Sequence, residues 1–137
     1  MANDFTTLMD ISASGLSAQS RRMRVIAENI ANANTTPASP AERPYQRQVV
    51  TFRNVLDQVD GSSRVKVRGI VKDRTPFGKE FEPGNPGADK LGYVRTPNVS
   101  TLVEMMDMRE AQRSYEANVT VVEASRMMMM RTMDLMK

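Results

Sequence analysis

The feature that most constrains the fold is a long C-terminal stretch without a helix breaker. After Pro97 the chain runs to Lys137 with neither proline nor glycine, the residues least compatible with a helix interior. Within this stretch, positions recur at alternating steps of three and four, the heptad spacing of helices that pack side by side. These positions are Met105, Met108, Gln112, Tyr115, Val119, Val122, Arg126, Met129, Met133 and Met136. We predict a helix of about 50 Å, which needs a partner to cover one face.

The start of this helix is signalled by a possible capping pair. Pro97 and Asn98 interrupt the preceding segment, and Thr101 is followed three residues later by Glu104. In a capping box, two such side chains bind the free amide groups of the first helical turn. We therefore predict that the helix begins at Thr101, with Glu104 as part of the cap.

A second helix is predicted from Asp4 to Asn32, because a weaker stripe with the same spacing runs through it. Gly15 and Ala18 border this stripe and would let another helix approach closely. Its members are Met9, Ser12, Leu16, Gln19, Met23, Ile26 and Ile30. An ordinary amphipathic bundle helix stays an alternative. The sharper interpretation is that the first and last helices pair with each other and with copies in other subunits.

Asparagines cluster where the first helix should end, at Asn29, Asn32 and Asn34, and Pro37 follows. Asparagine tolerates the left-handed conformation that ends many helices, and proline prevents the helix from resuming. The recurrence of asparagine also suits side-chain hydrogen bonds to backbone in a packed interface. We expect Asn29 and Asn32 to hold the helix end.

Between the two helices the sequence predicts a small β-rich insertion. Tyr45 to Phe52 is a plausible strand, and Arg64 to Lys72 alternates apolar and basic residues as a strand with one covered face does. Phe77, Phe81 and Tyr93 indicate further short strands. The predicted fold is α+β, with long terminal helices paired in a coiled-coil-like manner. The chain divides into an N-terminal helix (1–35), a loop and β insertion (36–97) and a C-terminal helix (98–137).

Signals for catalysis are poor, and we predict no cofactor, no metal site and no enzymatic activity. The chain has no cysteine and no histidine, which excludes thiol nucleophiles, disulfides and imidazole bases. Ser63 and Lys66 match a Ser-x-x-Lys spacing, but on a strand rather than a helix. The methionines at 127–130 point around a helix instead of converging, which favours adaptable packing over copper ligation.

Two other classes of function stay open on the residues alone. Arg21, Arg22, Arg24 and the basic strand at 64–72 would suit a nucleic-acid-binding protein, although the net charge of +3 is diffuse. Glu80 and Glu82 would suit a peptidoglycan-cleaving enzyme if a pocket enclosed them. A salt titration of nucleic-acid binding would test the first class.

Several motifs, in order along almost the whole chain, resemble the flagellar axial rod and hook family, most closely its proximal rod members. They are SGLSAQ (14–19), NIANANT (29–35), YQRQVV (45–50), FEPGNPGAD (81–89), GYV (92–94), PNV (97–99) and SYEANV (114–119). The resemblance implies a structural subunit of the basal-body rod, a hollow drive shaft that transmits torque and encloses the export channel. The implied partners are copies of the chain and other rod proteins, with the MS-ring and export-gate components nearby. They include neither nucleic acid nor direct insertion into a membrane.

The implied location is the flagellar basal body, in the periplasmic rod, reached through the flagellar type III export apparatus. The N-terminus lacks the basic and apolar regions of a secretory signal, so we expect export without a cleaved signal peptide. We expect the subunit interface to be formed by residues of both helices. They are Met9, Leu16, Met23, Ile26, Asn29, Ile30, Asn32, Met105, Met108, Tyr115, Asn118, Val119, Val122, Met129 and Met133.

Overall fold

Along the chain, one long helix precedes four strands and a second long helix follows them. The structure is a computed structural model that describes residues 2–58 and 61–135. Its elements are α1 (Ala2–Ala31), β1 (Gln48–Leu56), β2 (Ser63–Lys72), β3 (Gly78–Phe81), β4 (Tyr93–Thr96) and α2 (Thr101–Leu135). The predicted α+β class, with terminal helices and a small β insertion, is confirmed. Met136, the last predicted heptad position, lies outside the described residues.

The strands form two separate two-stranded sheets, β1–β2 and β3–β4. The first is a hairpin, in which the Asp57 amide donates to the Ser62 carbonyl and the Asp73 amide to the Arg47 carbonyl, both at 2.8 Å. Along β2 the half-buried Val65 and Val67 alternate with the exposed Lys66 and Arg68, as predicted from the sequence. The prediction fails only at the end of the strand, where Val71 is 53% exposed.

Backbone contacts divide the chain into two compact units, each containing part of both helices. The first comprises Met1–Met23, Val50–Gly69 and Arg109–Lys137, and the second Arg24–Val49 and Ile70–Met108. The first unit buries Ser12, Ala18, Ala111 and Ser125, and the second buries Val25, Ile26, Asn29, Val94 and Glu104. The division of the chain into segments 1–35, 36–97 and 98–137, made from the sequence, stays a prediction.

Both predicted helix ends need correction. At the end of α1, no described residue other than glycine has a positive φ, so the predicted left-handed asparagine is wrong. The last turn of α1 instead tightens, because the Asn32 amide donates to both the Glu28 and the Asn29 carbonyls, at 3.1 and 3.2 Å.

At the start of α2, the predicted capping box is also wrong. The Glu104 amide donates to the Ser100 carbonyl, and the Glu104 side chain binds elsewhere.

The covered stripe of α2 is shifted from the predicted one at four of its five alternate positions, and the fifth, Val119, is half-buried as predicted. Met108, Tyr115, Val122 and Met129 are half-buried, as expected for that stripe. The alternate positions are not Met105, Gln112, Arg126 and Met133, which are exposed, but residues one place earlier. These form a heptad column of Glu104, Ala111, Asn118, Ser125 and Thr132. At Asn118 this column lies against Gly15 of α1, and such a close approach leaves little room for a side chain as long as methionine.

Candidate assembly element

The two helices pair in an antiparallel manner. In the first unit, Gly15 lies against Asn118, so closely that a Cβ atom on residue 15 would be 2.9 Å from Asn118 Nδ2. One heptad later on α1, Arg22 Nη2 donates to Glu110 Oε2 at 3.1 Å. As the residue number rises along α1 from 15 to 22, the number of the contacted residue on α2 falls from 118 to 110. The two helices therefore run antiparallel. These contacts confirm the predicted pairing of the first and last helices.

In the second unit, Asn29 joins α1 to both β1 and α2. Its Nδ2 donates to the Gln48 carbonyl at 2.8 Å and to Glu104 Oε2 at 3.0 Å. Its Oδ1 accepts from the Gln48 amide at 3.0 Å and from the Tyr45 hydroxyl at 2.9 Å. The residue is 1% exposed, so these four bonds satisfy an amide group that burial would otherwise penalise. The prediction of an asparagine bonded to backbone in a packed region is confirmed.

Arg47 extends this network through three carboxylates. Its Nε donates to Glu104 Oε1 at 2.6 Å, while Nη1 and Nη2 lie 3.3 and 3.4 Å from Asp73 and Asp107. Its backbone amide donates to Asn98 Oδ1 at 2.7 Å. We call the whole set the polar cluster. It comprises Asn29, Tyr45, Arg47, Asp73, Asn98, Glu104 and Asp107.

Electrostatics in the polar cluster favour the charged forms of Arg47 and Asp73. Burial disfavours the charged guanidinium of Arg47, but its bonds to Glu104 and Asp73 outweigh that effect and raise its pKa. The pKa of Asp73 is lowered, first by the Thr75 hydroxyl and amide and then by Arg47. Burial, with the charges of Glu28 and Glu104, raises the pKa of Tyr45. At neutral pH, Arg47 and Asp73 are therefore held as an ion pair, and the Tyr45 hydroxyl stays neutral and donates to Asn29.

The predicted interface residues differ in how far the single chain covers them. Ile26 and Asn29 are buried, and Met105 and Met133 are exposed. The others are half-buried: Met9, Leu16, Met23, Ile30, Asn32, Met108, Tyr115, Asn118, Val119, Val122 and Met129. Asn29 and Asn118 contact the opposite helix as described above. Asn32 holds the end of α1, since its Nδ2 donates to the Glu28 carbonyl at 2.8 Å.

Sequence reasoning missed the central members of the polar cluster. The sequence pattern assigns Glu104 to a helix cap, and it includes Arg47 only as one residue of the YQRQVV motif. Their partners are far away in sequence, since Arg47 and Glu104 are 57 residues apart. The local signal for the cluster is the group of asparagines at 29, 32 and 34, because an asparagine beside a helix end often bonds to backbone.

The two residue pairs that the sequence offered as catalytic candidates do not form an enclosed catalytic site. Ser63 and Lys66 are both exposed, and a spacing of three on a strand places them on opposite faces. Glu80 and Glu82 are also exposed, beside an open cavity of about 390 Å³, rather than enclosed as an acid catalyst requires. Within residues 2–58 and 61–135, no group of three or more acidic side chains could hold a metal ion.

Comparisons with known proteins identify the family. A family model described as flagella basal body rod protein matches residues 9–37, and one described as flagellar basal body rod FlgEFG protein C-terminal matches residues 90–135. The flagellar basal-body rod protein FlgC of Agrobacterium fabrum is 50% identical over 127 residues, covering 93% of this chain and 91% of the relative. The chain belongs to the FlgC family of flagellar basal-body rod proteins.

More distant relatives in the FlgC family also align along most of their length. FlgC of Yersinia enterocolitica is 41% identical, covering 93% of this chain and 95% of the relative. FlgC of Bacillus subtilis is 38% identical, covering 94% and 96%. The chain is therefore a structural subunit of the flagellar basal-body rod and not an enzyme. The two family models together include α1 from residue 9 onward and all of α2, the two helices that form the antiparallel pair.

Membership of the FlgC family argues against the two alternative functions considered from the sequence, a nucleic-acid-binding protein and a peptidoglycan-cleaving enzyme. Two of the cations that suggested nucleic-acid binding are in ion pairs, Arg22 with Glu110 and Arg64 with Asp10 and Asp57. In the described part of the chain, neither helix combines the length and hydropathy needed to cross a membrane.

Proposed function

We propose that the chain polymerises through α1 and α2, with copies of itself and with other rod proteins, to build the proximal rod. The observation that supports this most directly is the amount of apolar surface left open on α2. Six methionines are between 44% and 64% exposed in the single chain: Met105, Met106, Met127, Met128, Met130 and Met133. A monomeric protein rarely leaves so many large apolar side chains on one element. Methionine is also the side chain that adapts best to non-identical neighbours, as a rod of several proteins would require.

In this proposal the rod is a hollow drive shaft that transmits torque and encloses the export channel. Torque would have to pass between the helices and the β insertion. The polar cluster supports that role, because Arg47 and Asn29 tie the start of β1 to both helices. Every member of the polar cluster is hydrogen-bonded, and a fully satisfied polar network makes the elements that it joins more rigid.

The proposal places the subunit in the periplasmic part of the basal body, after passage through the flagellar type III export apparatus without signal cleavage. The MS-ring and export-gate components would be its neighbours on the membrane side. The support is the family, whose members are named as basal-body rod proteins, together with the resemblance described above.

The experiment is an assembly test of Val122→Asp and Val119→Asp in the native bacterium. Both valines are half-buried on α2, and a charge there would be left without a partner in a packed interface. We expect normal expression, no incorporation into isolated basal bodies and no motility. Thr120→Asp is the matched control, because Thr120 is exposed in the same helical turn. Wild-type motility of Val122→Asp would contradict polymerisation through the helices.

A further inference from the structure

The β3–β4 hairpin has two faces of opposite charge. Its antiparallel register places Lys79 directly across from Arg95, and Phe81 across from Tyr93. Side chains alternate along a strand, so these four share one face, which we call the basic face. Glu80 and Glu82, two residues apart, belong to the other face, which we call the acidic face.

The basic face is poorly neutralised within the chain. Like charges directly opposite on neighbouring strands repel each other, yet Lys79 and Arg95 occupy such a pair. Arg95 Nη2 donates to the Pro40 carbonyl at 3.0 Å, which is a neutral acceptor. Among the described residues that line the adjoining cavity, Asp89 is the one carboxylate, and its Oδ1 already accepts the amides of Leu91 and Tyr93. Two cations thus face a single, partly occupied carboxylate.

The basic face also has the shape and the apolar surface of a contact site. It borders a cavity of about 310 Å³ lined by Pro37, Pro40, Lys79, Gly87, Asp89, Tyr93 and Arg95. Phe81 and Tyr93 pack edge to face, with ring centroids 5.3 Å apart, and stay 61% and 43% exposed. Aromatic side chains and arginine are enriched in protein contact surfaces.

The acidic face supplies the complementary charge. Glu80 and Glu82 line the second cavity, of about 390 Å³, with Ala33, Asn34, Thr36, Thr96, Pro97 and Val99. Glu82 accepts a bond from Asn85 Nδ2 at 2.9 Å, and no cation is among these lining residues. Two carboxylates therefore face solvent beside a mixed apolar and polar cavity.

We propose that the basic face of one copy docks on the acidic face of the next copy. This inference rests on the proposed polymerisation and assigns a second contact to it, outside the helices. Charge complementarity selects a second copy as the partner, since two cations with one carboxylate would meet two carboxylates. Because the two surfaces differ, the contact is head-to-tail, the type that extends into an open helical array instead of closing a dimer.

Cysteine cross-linking in assembled basal bodies tests the contact, because the chain contains no cysteine of its own. Lys79→Cys and Glu82→Cys are introduced on separately tagged copies expressed together, and isolated basal bodies are oxidised. We expect a mixed disulfide between Lys79→Cys and Glu82→Cys. Lys66→Cys, on the exposed face of β2, is the matched control and should form no disulfide with Glu82→Cys. A Lys79→Cys homodimer, a cross-link to another protein, or no cross-link in basal bodies that contain both copies would each overturn the contact.

Charge exchange gives an independent measurement. Lys79→Glu with Arg95→Glu, or Glu80→Lys with Glu82→Lys, should each lower the number of incorporated copies by at least about tenfold, because like charges then meet. All four changes in one chain should restore incorporation. Normal incorporation of each pair alone would overturn this contact, and the rod proposal would stand if Val122→Asp still blocked assembly. Normal incorporation of Val122→Asp would instead contradict the proposed helix contacts.

Discussion

Arg47 donates a 2.6 Å hydrogen bond from Nε to Glu104, whose side chain is only 1% exposed. The bond joins the segment that leads into β1 to the first turn of α2. Glu104 also accepts from Asn29 of α1, so one buried carboxylate connects three elements. A buried charge with this many partners is costly to isolate, which makes Arg47 the most informative residue to remove.

Arg47→Ala should lower the free energy of unfolding by about 3–5 kcal/mol, because it leaves the Glu104 carboxylate buried without its cation. The measurement is urea unfolding of the purified protein. Arg22→Ala is the matched control, since Arg22 pairs with Glu110, which is 67% exposed. Loss of that exposed pair should cost less than about 1 kcal/mol. Equal losses for the two variants would show that the polar cluster does not hold the fold.

Gly15→Ala should destabilise the chain although alanine is the better helix former. Alanine at a helical glycine gains up to about 1 kcal/mol from helix propensity, but a Cβ at Gly15 would meet Asn118 Nδ2 at 2.9 Å. Overpacking of this kind costs about 1–3 kcal/mol, so we expect a net loss.

The effect of Gly15→Ala should change sign once Asn118→Ala has removed the obstructing amide. In that background the helix-propensity gain stands alone, and the free energy of unfolding should rise by up to about 1 kcal/mol. A thermodynamic cycle over the four proteins measures this coupling. An identical effect of Gly15→Ala in both backgrounds would contradict the close approach of the helices.

Stability should fall in acid through Asp73. Its pKa is lowered in the folded chain by the Thr75 hydroxyl and amide and by Arg47. A carboxyl group with a lowered folded pKa stabilises the fold above its unfolded pKa of about 3.9, and this contribution is lost as the pH falls through the folded value.

Unfolding measured from about pH 5 down to about pH 2 should show this loss. Asp73→Asn should have a shallower pH dependence than the wild type, and Thr75→Val an intermediate one. Thr120→Val, at an exposed threonine, should match the wild type. Parallel curves for Asp73→Asn and the wild type would contradict the role of Asp73.

The outer ends of both helices should exchange amide hydrogens quickly in the isolated protein. Among the described residues, none from 4 to 11 or from 126 to 135 is buried, so these turns have little packing to offset the entropy of ordering. Hydrogen exchange should show strong protection near Val25 and Ala111, which are 3% and 0% exposed. Strong protection at both outer ends of the monomer would contradict the expectation that assembly completes them.

The sequence predicted those features that depend on local signals. Proline, glycine and heptad spacing located both helices within a few residues, and the alternation from Arg64 to Lys72 located β2. The asparagine pattern also indicated that Asn29 would bond to backbone. These signals act within one or two turns of chain, so a single sequence contains them.

The features that the sequence did not predict depend on residues distant in the chain. Glu104 has the spacing of a helix cap with Thr101, and only the position of Arg47 shows that it belongs to a buried cluster. Most of the covered column of α2 lies one residue before the predicted positions, because hydrophobicity favours Met105 and Met133, whereas the close approach of Gly15 is made to Asn118 of this column. Hydrophobicity describes which side chains avoid water, but it does not tell how near the partner helix lies.

The central claim is that α1 and α2 form contacts between subunits, and a side-chain-resolution map of the assembled rod tests it most directly. Met105 and Met133 are 53% and 55% exposed in the single chain. We expect the map to show both side chains buried against helices of neighbouring subunits, with α1 and α2 close to the central channel. A map in which both methionines still face solvent, and neighbours touch only the β strands, would contradict the claim.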